Sequence, residues 1–166
     1  MGKIVYIFNG GDHMNNKTTV FDVADYFLKI VDREAGSSIT HLKLQKLVYY
    51  AQAWHLVFTG ERMFDSEIQA WVHGPVSPEL YKKYADYGYD NLPAPKKSPI
   101  LSEDKIKTIK VVWESYGHFD GKYLEQLTHQ EEPWRSARNG CKPWEHCTNS
   151  ISTELMKEYY KKLNEE

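Results

Sequence analysis

The pattern of apolar positions is densest over residues 40–58, where large hydrophobic side chains occur on nearly every side of a predicted helix. A helix that is apolar all round is normally enclosed by other elements of the fold. The pattern therefore predicts a central, buried helix that Thr40 caps and Gly60 ends. Its few polar residues, notably Gln45, Lys46 and Gln52, must reach a partner atom or water.

Apolar residues at helical spacing predict further helices on both sides of this segment. The first covers residues 19–34, with a capping-box spacing from Thr19 to Asp22 and Gly36 as its terminator. The later helices are expected to start near residues 77, 102, 120, 133 and 152, mostly after a residue whose side chain can cap a helix. On the last helix the residues expected to face inward are Leu155, Met156, Tyr159 and Leu163.

Residues 67–73 alternate between apolar and polar positions, which is typical of a short, half-buried strand. Met63 and Phe64 are candidates for its hairpin partner, and Gly74 with Pro75 is expected to break the strand sharply. Residues 1–13 hold another strand-like run. They are either an edge strand or an extension translated upstream of Met14.

The predicted fold class is mainly α. It is a compact single domain over residues 14–166, a bundle of six or seven helices around the buried central helix. A small β element, one hairpin or short sheet, completes it.

Composition fits a folded globule and narrows the classes of function. Hydrophobic residues make up 41% and charged residues 27% of the 166 positions, which are ordinary values. The net charge of −2 argues against broad nucleic-acid binding, so nucleic acid is not expected as a ligand without a partner protein. No apolar run is long enough for a membrane span or a signal peptide, so we expect a cytoplasmic protein.

Aromatic residues are abundant, at 14% of the chain with 12 Tyr and 5 Trp. Such side chains stabilise cores and also suit contact surfaces, because a polar tip accompanies a large apolar body. Among Tyr81, Tyr84, Tyr87 and Tyr89, half are expected in the core. The others are expected on a surface that would serve a protein interface.

A search for chemistry finds only weak patterns. Cys141, His146 and Cys147 are spaced irregularly for zinc, and no second pair of ligands follows them. A cysteine nucleophile paired with a histidine would have no third group to orient it. We therefore expect two ordinary thiols in a reducing compartment, no metal, no cofactor, no catalytic residues and no enzymatic activity.

Three stretches, taken together and in order, resemble a known family. They are LKLQKLVYYAQAWH at residues 42–55, FDSEIQAWVHGPVSPELY at residues 64–81, and LTHQEEPWR at residues 127–135. Together they resemble the Panacea antitoxin domain, the SocA-like or GepA-like phage-associated family, over residues 19–138.

The resemblance implies a mostly helical, non-enzymatic protein that neutralises a cognate toxin by direct binding in a bacterial or phage toxin–antitoxin system. The same scaffold could instead bind a host factor on behalf of a phage or mobile element, as a counter-defence protein or as an adaptor for a Clp-type protease. The expected location is the bacterial cytoplasm, or the host cytoplasm for a phage-encoded protein.

The resemblance also singles out two groups of residues. One group is expected to form the scaffold: Leu44, Leu47, Trp54, Trp71, Gly74, Pro75 and Trp134. The other group is a candidate polar pocket or partner contact between the central helix and the third motif: Gln45, Lys46, Tyr49, Gln52, His73, Thr128 and His129. These side chains either hold the fold or receive part of a partner, and holding the fold is the favoured interpretation.

Overall fold

The computed structural model describes residues 17–166. Within this range the chain forms seven α-helices, one turn of 3-10 helix and a two-stranded antiparallel sheet, which confirms the predicted fold class. In chain order the elements are α1 (Val20–Ile30), α2 (His41–Thr59), β1 (Gln69–Trp71), β2 (Gly74–Val76), α3 (Pro78–Tyr84), the 3-10 turn (Ala85–Tyr87), α4 (Glu103–Tyr116), α5 (Gly121–Gln130), α6 (Glu132–Ala137) and α7 (Thr153–Glu165). The predicted strand or extension at residues 1–13 lies outside the described residues.

The helix α2 is the buried centre of the fold, as its apolar pattern predicts. Fifteen of its nineteen residues are buried, and it packs against α7, α4, α5 and α1. Among the scaffold residues, Leu44, Leu47 and Trp54 are almost fully enclosed. The central helix thereby supports β2 and α5, two of the elements that line the cleft described below.

Six of the seven described helix starts follow the sequence closely because their first turns have a side-chain cap, whereas α6 begins without one. A side-chain oxygen accepts a hydrogen bond from the N3 backbone N–H at all six predicted caps. Thr19 and Asp22 also form the reciprocal capping box. The predicted caps are Thr19, Thr40, Ser77, Ser102, Asp120 and Ser152.

The end of α1 differs from the sequence prediction. The helix ends at Ile30 instead of near residue 34, because Val31 leaves the helix in an extended conformation and is buried. Arg33 then reaches back and donates a hydrogen bond of 2.8 Å to the Leu28 carbonyl, which satisfies an acceptor at the helix end. Gly36, expected as the terminator, instead lies in the following turn with φ of +86°.

The structure contains the predicted hairpin, but the prediction of its second strand is wrong. β1 pairs with β2 and not with Met63 and Phe64, so the segment expected to end the strand forms the second strand instead. Met63 and Phe64 are buried and bonded to Gln52. The short strand β2 escapes detection because three residues, two of them Gly74 and Pro75, show no alternation.

The last helix buries a residue that the predicted inward set omits. Met156 and Tyr160 are fully enclosed, whereas Leu155, Tyr159 and Leu163 are only partly buried. Tyr160 lies one helical turn after Met156, so the spacing alone could have indicated it. Within residues 17–166, none of the helices combines the length and apolar character that a membrane crossing requires.

Candidate functional site

An open cleft of about 640 Å³ lies beside the N-terminal half of α2, a size typical of ligand-binding pockets. Three elements from distant parts of the chain meet here: the hairpin, α5 and the segment between α6 and α7. The side chains that line it include His41, Gln45, Lys46, Trp71, Val72, His73, Val76, Tyr81, Tyr89, Lys122, Glu125, Trp144 and His146. Hereafter this site is called the cleft.

Lys46 forms the base of the cleft and is fully buried. Its Nζ donates a hydrogen bond of 3.0 Å to the Pro75 carbonyl, which joins α2 to β2. Burial lowers the pKa of Lys46 to about 7, while the negative charge of Glu125 acts in the opposite direction. The lysine is therefore an anchor of the hairpin whose charge varies near neutral pH.

Gly74 leaves room for this buried lysine. It adopts φ of +99°, and a Cβ at this position would lie 2.7 Å from Lys46 Cε and 2.9 Å from Thr128 Oγ1. Only glycine fits both the backbone conformation and the space. Thr128 Oγ1 in turn donates to the Glu125 carbonyl over 2.7 Å, so hairpin, central helix and α5 are packed tightly against each other.

Glu125 is the acid of the cleft, and a histidine and a lysine cover it. His73 Nδ1 lies 2.5 Å from Glu125 Oε1, and Lys122 Nζ donates to Glu125 Oε2. Burial alone would raise the pKa of Glu125, but the hydrogen bonds from Lys122 and His73 outweigh it and lower the pKa. The carboxylate is thus held ionised between two bases.

His129 lies behind the hairpin and stacks on Trp134 with ring centroids 4.1 Å apart. Burial lowers the pKa of His129, and a backbone hydrogen bond with Val72 acts against this. Within residues 17–166, His129 Nε2 is buried without a hydrogen-bond partner. Trp134 Nε1 donates to the Trp71 carbonyl over 2.9 Å, so the third motif fixes the hairpin.

The structure brings Lys46, His73, Thr128 and His129 together around the hairpin and α5. Gln45 lies near them, at the side of the cleft. Its amide Nε2 donates to the Ser77 carbonyl over 3.3 Å and its Oε1 accepts from the Ser77 N–H over 2.8 Å. Whether any of these residues binds a partner stays a prediction.

Two residues of the candidate polar set lie away from the cleft. Gln52 holds the chain after α2, because its Oε1 accepts from the Met63 N–H over 2.7 Å and its Nε2 donates to the Phe64 carbonyl over 2.7 Å. Tyr49 is buried one helical turn beyond Gln45, where its hydroxyl lies 2.9 Å from that of Tyr160 on α7. Both side chains have structural partners where they are.

Exposed aromatic side chains surround the cleft. Trp144 is 75% exposed, Tyr89 94% and Tyr81 44%. Trp71 packs edge-on against Tyr81 with centroids 4.8 Å apart. Of the four tyrosines expected to divide between core and surface, only Tyr84 is buried, so the surface share is larger than predicted.

Sequence reasoning missed the segment that carries Trp144. Arg138 is buried and donates to the carbonyls of Lys142 and Glu145, both over 2.7 Å, and to the Ala70 carbonyl over 2.9 Å. It fixes the segment before α7 against β1. No sequence signal marks this arginine, because its acceptors are backbone carbonyls, two of them in a segment without regular structure.

The same segment corrects the expectation of two ordinary thiols. Cys141 and Cys147 form a disulfide, with their Cα atoms 6.2 Å apart, within the range that a disulfide spans. A turn over residues 142–145, in which the Glu145 N–H donates to the Lys142 carbonyl over 3.0 Å, brings the two residues together, and their irregular spacing in the sequence does not indicate this. The disulfide closes the loop that carries Trp144 and His146 into the cleft.

Together these features define a helical domain organised around one buried helix, with a cleft bordered by exposed aromatic side chains. The chain belongs to the family described as antitoxin SocA-like, Panacea domain, which matches residues 44–135. This confirms the resemblance carried by the three motifs.

A curated relative gives independent support for the family. The chain is similar to the antitoxin SocA of Caulobacter vibrioides (strain NA1000 / CB15N), with 30% identity over 126 residues that cover 67% of each protein. No solved structure matches the chain significantly.

Proposed function

We propose that this chain is an antitoxin of a toxin–antitoxin system and that it neutralises its cognate toxin by binding it directly, without catalysis. Membership of the SocA-like family supports the first part. The observation that carries the second part is the group of exposed aromatic side chains around the cleft, Trp144 above all.

An exposed tryptophan is costly to a protein that has no partner for it. Covering a large apolar side chain stabilises a complex by about 1.5–3 kcal/mol, and tryptophan and tyrosine dominate the binding energy of many interfaces. Trp144, Tyr89 and Tyr81 border one cleft instead of being scattered. Such an arrangement suits the recognition of one specific surface.

The support beneath these side chains is rigid. The hairpin is tied to α2 through Lys46 and to α6 through Trp134, and Arg138 ties the loop of Trp144 to β1. A surface that is already ordered loses little entropy on binding, which favours high affinity. Occlusion of the toxin by a preformed surface is therefore the proposed mechanism.

The polar groups of the cleft also fit a binding role better than a catalytic one. Glu125 is covered by His73 and Lys122, and Lys46 is bonded to the Pro75 carbonyl. A general acid or base must reach the proton it transfers. In this arrangement both buried groups are occupied with holding the fold.

Co-expression with the product of the adjacent gene tests the proposal. We expect that product to stop growth alone, growth to recover when this chain is present, and the two purified proteins to elute together in size-exclusion chromatography. Trp144→Ala should weaken rescue. Ile100→Ala, which removes an exposed apolar side chain outside the residues lining the cleft, is the control and should not.

Failure of growth to recover, or recovery without a complex, contradicts direct neutralisation. A pull-down from host lysate that captures a host protein, while the adjacent gene product does not bind, would instead favour the second function. In that case the chain would be a phage or mobile-element protein directed at a host factor.

A further inference from the structure

The cleft has a charge balance that differs from that of the whole chain. Among the described residues lining it, Glu125 is the only acid, whereas the exposed basic side chains are those of Lys122, His73 and His146. The whole chain carries a net charge of −2, so its acidic residues are concentrated elsewhere.

The single acid is not available to a ligand. The Glu125 side chain is only 2% exposed, while that of Lys122 is 65% exposed and that of His73 is also largely open. Both bases lie on top of the carboxylate and present their outer surfaces to the cleft. A partner that approaches here therefore meets the Lys122 ammonium and the His73 ring before it meets the carboxylate.

Another part of the cleft lining is aromatic. Trp71 contacts Tyr81 and, with ring centroids 5.3 Å apart, His146. Trp144 extends from the adjoining loop and is largely uncovered. The lining thus combines apolar surface with the exposed hydrogen-bonding groups of Lys122 and His73.

We infer that the cleft binds an acidic segment of the toxin that carries a large apolar or aromatic side chain. The apolar side chain packs between Trp71 and Trp144, and a carboxylate reaches Lys122 and His73. This inference rests on the proposed function and names the chemistry of the contact. Charge complementarity selects the segment, and burial of the aromatic groups supplies most of the affinity.

Other occupants fit the charges less well. A basic segment would face Lys122 without a free acid to pair with, since Glu125 is already occupied. Nucleic acid needs several accessible cations for its phosphates, and the two lysines lining the cleft include one that is fully buried. A second copy of this chain is treated below as an outcome of the test.

Selection from a random peptide library displayed on phage, with the purified full chain as bait, tests the chemistry directly. We expect the enriched peptides to be acidic and to contain an aromatic or large aliphatic residue. Their affinity, measured by fluorescence anisotropy, should fall as salt is added. Enrichment of basic or neutral peptides, or no enrichment, overturns the inference.

Charge reversal locates the contact. Lys122→Glu should weaken the binding of the enriched peptides by at least about 10-fold. Lys110→Glu makes the same change at an exposed position on α4, outside the residues lining the cleft, and is expected to have little effect. Lys122 also pairs with Glu125, so the substitution could disturb the fold. Lys122→Gln, which removes the charge without reversing it, and thermal unfolding curves of both variants separate this effect from a loss of contact. Equal affinities for the Lys122 and Lys110 variants overturn the inference.

Two further outcomes count against it. Concentration-dependent self-association that Trp144→Ala abolishes would assign the cleft to a second copy, and tight binding of a single-stranded oligonucleotide would assign it to nucleic acid.

The co-expression assay separates this inference from the proposed antitoxin function. If Lys122→Glu still restores growth, the cleft chemistry is wrong while the antitoxin function stands. If the wild-type chain does not restore growth, the function itself fails.

Discussion

The hydroxyl of Tyr50 donates a hydrogen bond of 2.6 Å to Glu131 Oε1, although the two residues are 81 positions apart in the chain. Tyr160 donates to the same oxygen over 3.0 Å, so one carboxylate joins α7 to the central helix. Burial raises the pKa of Glu131 to about 7, and the two tyrosine hydrogen bonds only partly oppose this. The core therefore contains an acid whose charge changes near neutral pH.

Glu131→Gln should become more stable relative to the wild type as pH rises. The pKa of Glu131 is higher in the folded protein (about 7) than its ordinary 4.5, so its contribution is complete below about pH 4.5 and is lost as pH rises through about 7. Glutamine does not titrate, so the difference in unfolding free energy should grow by up to about 3 kcal/mol. Urea unfolding from about pH 5 to about pH 8 measures it.

The test depends on the difference in unfolding free energy between Glu131→Gln and the wild type, because other groups titrate in both proteins. Burial lowers the pKa of His41 and of His55 to about 4, so their contribution is present above the ordinary histidine pKa and is lost as pH falls through about 4. These groups shape both curves equally. Glu132→Gln, at the exposed neighbouring position, is the matched control. A constant difference across the pH range would contradict the assignment to Glu131.

Gly74→Ala should destabilise the protein more than Gly36→Ala. Gly36 has φ of +86° with nothing within 4 Å of an added Cβ, whereas a Cβ at Gly74 would crowd Lys46 and Thr128. Gly36→Ala should therefore cost about 1 kcal/mol of backbone strain, and Gly74→Ala about 2 kcal/mol more through overpacking. Urea unfolding midpoints compare the stabilities of the two variants. Equal losses of stability would show that the side chains of Lys46 and Thr128 move aside without cost.

Gln52→Ala should reduce stability and leave toxin binding by the folded protein unchanged. The substitution leaves the Met63 N–H and the Phe64 carbonyl buried without partners, at a cost of about 2–4 kcal/mol in total. Gln130→Ala removes an exposed glutamine and serves as control. Thermal unfolding and binding are measured on the same samples. Weaker binding by fully folded Gln52→Ala would make this residue a partner contact.

Much of the fold follows from local sequence signals. The apolar surface of residues 40–58 has no alternative to burial, and the six caps mark helix starts because each supplies an acceptor to its own first turn. β2 could not be predicted, since what holds Pro75 in place is Lys46, which lies 29 residues away in the sequence. The end of α1 likewise depends on a long-range event, the burial of Val31.

The candidate site was predictable only in part, for the same reason. The three motifs contain Lys46, His73 and Thr128, which meet at the hairpin. Glu125, their common neighbour, stands just outside the third motif, and nothing in its sequence neighbourhood predicts a bond to His73, 52 residues away. Trp144 lies outside all three motifs. Its placement depends on a disulfide and on bonds to backbone carbonyls, neither of which residue type or spacing encodes.

Arg138→Ala should weaken toxin binding by more than its effect on folding explains. The guanidinium donates to the Lys142 and Glu145 carbonyls, so its loss frees the loop that carries Trp144 and raises the entropy cost of binding. We expect faster amide hydrogen exchange at Lys142, Trp144 and Glu145 and at least about 10-fold weaker binding. Arg135→Ala, on the exposed side of α6, removes the same charge without touching the loop. If both variants bind equally well, the loop of Trp144 does not form the contact.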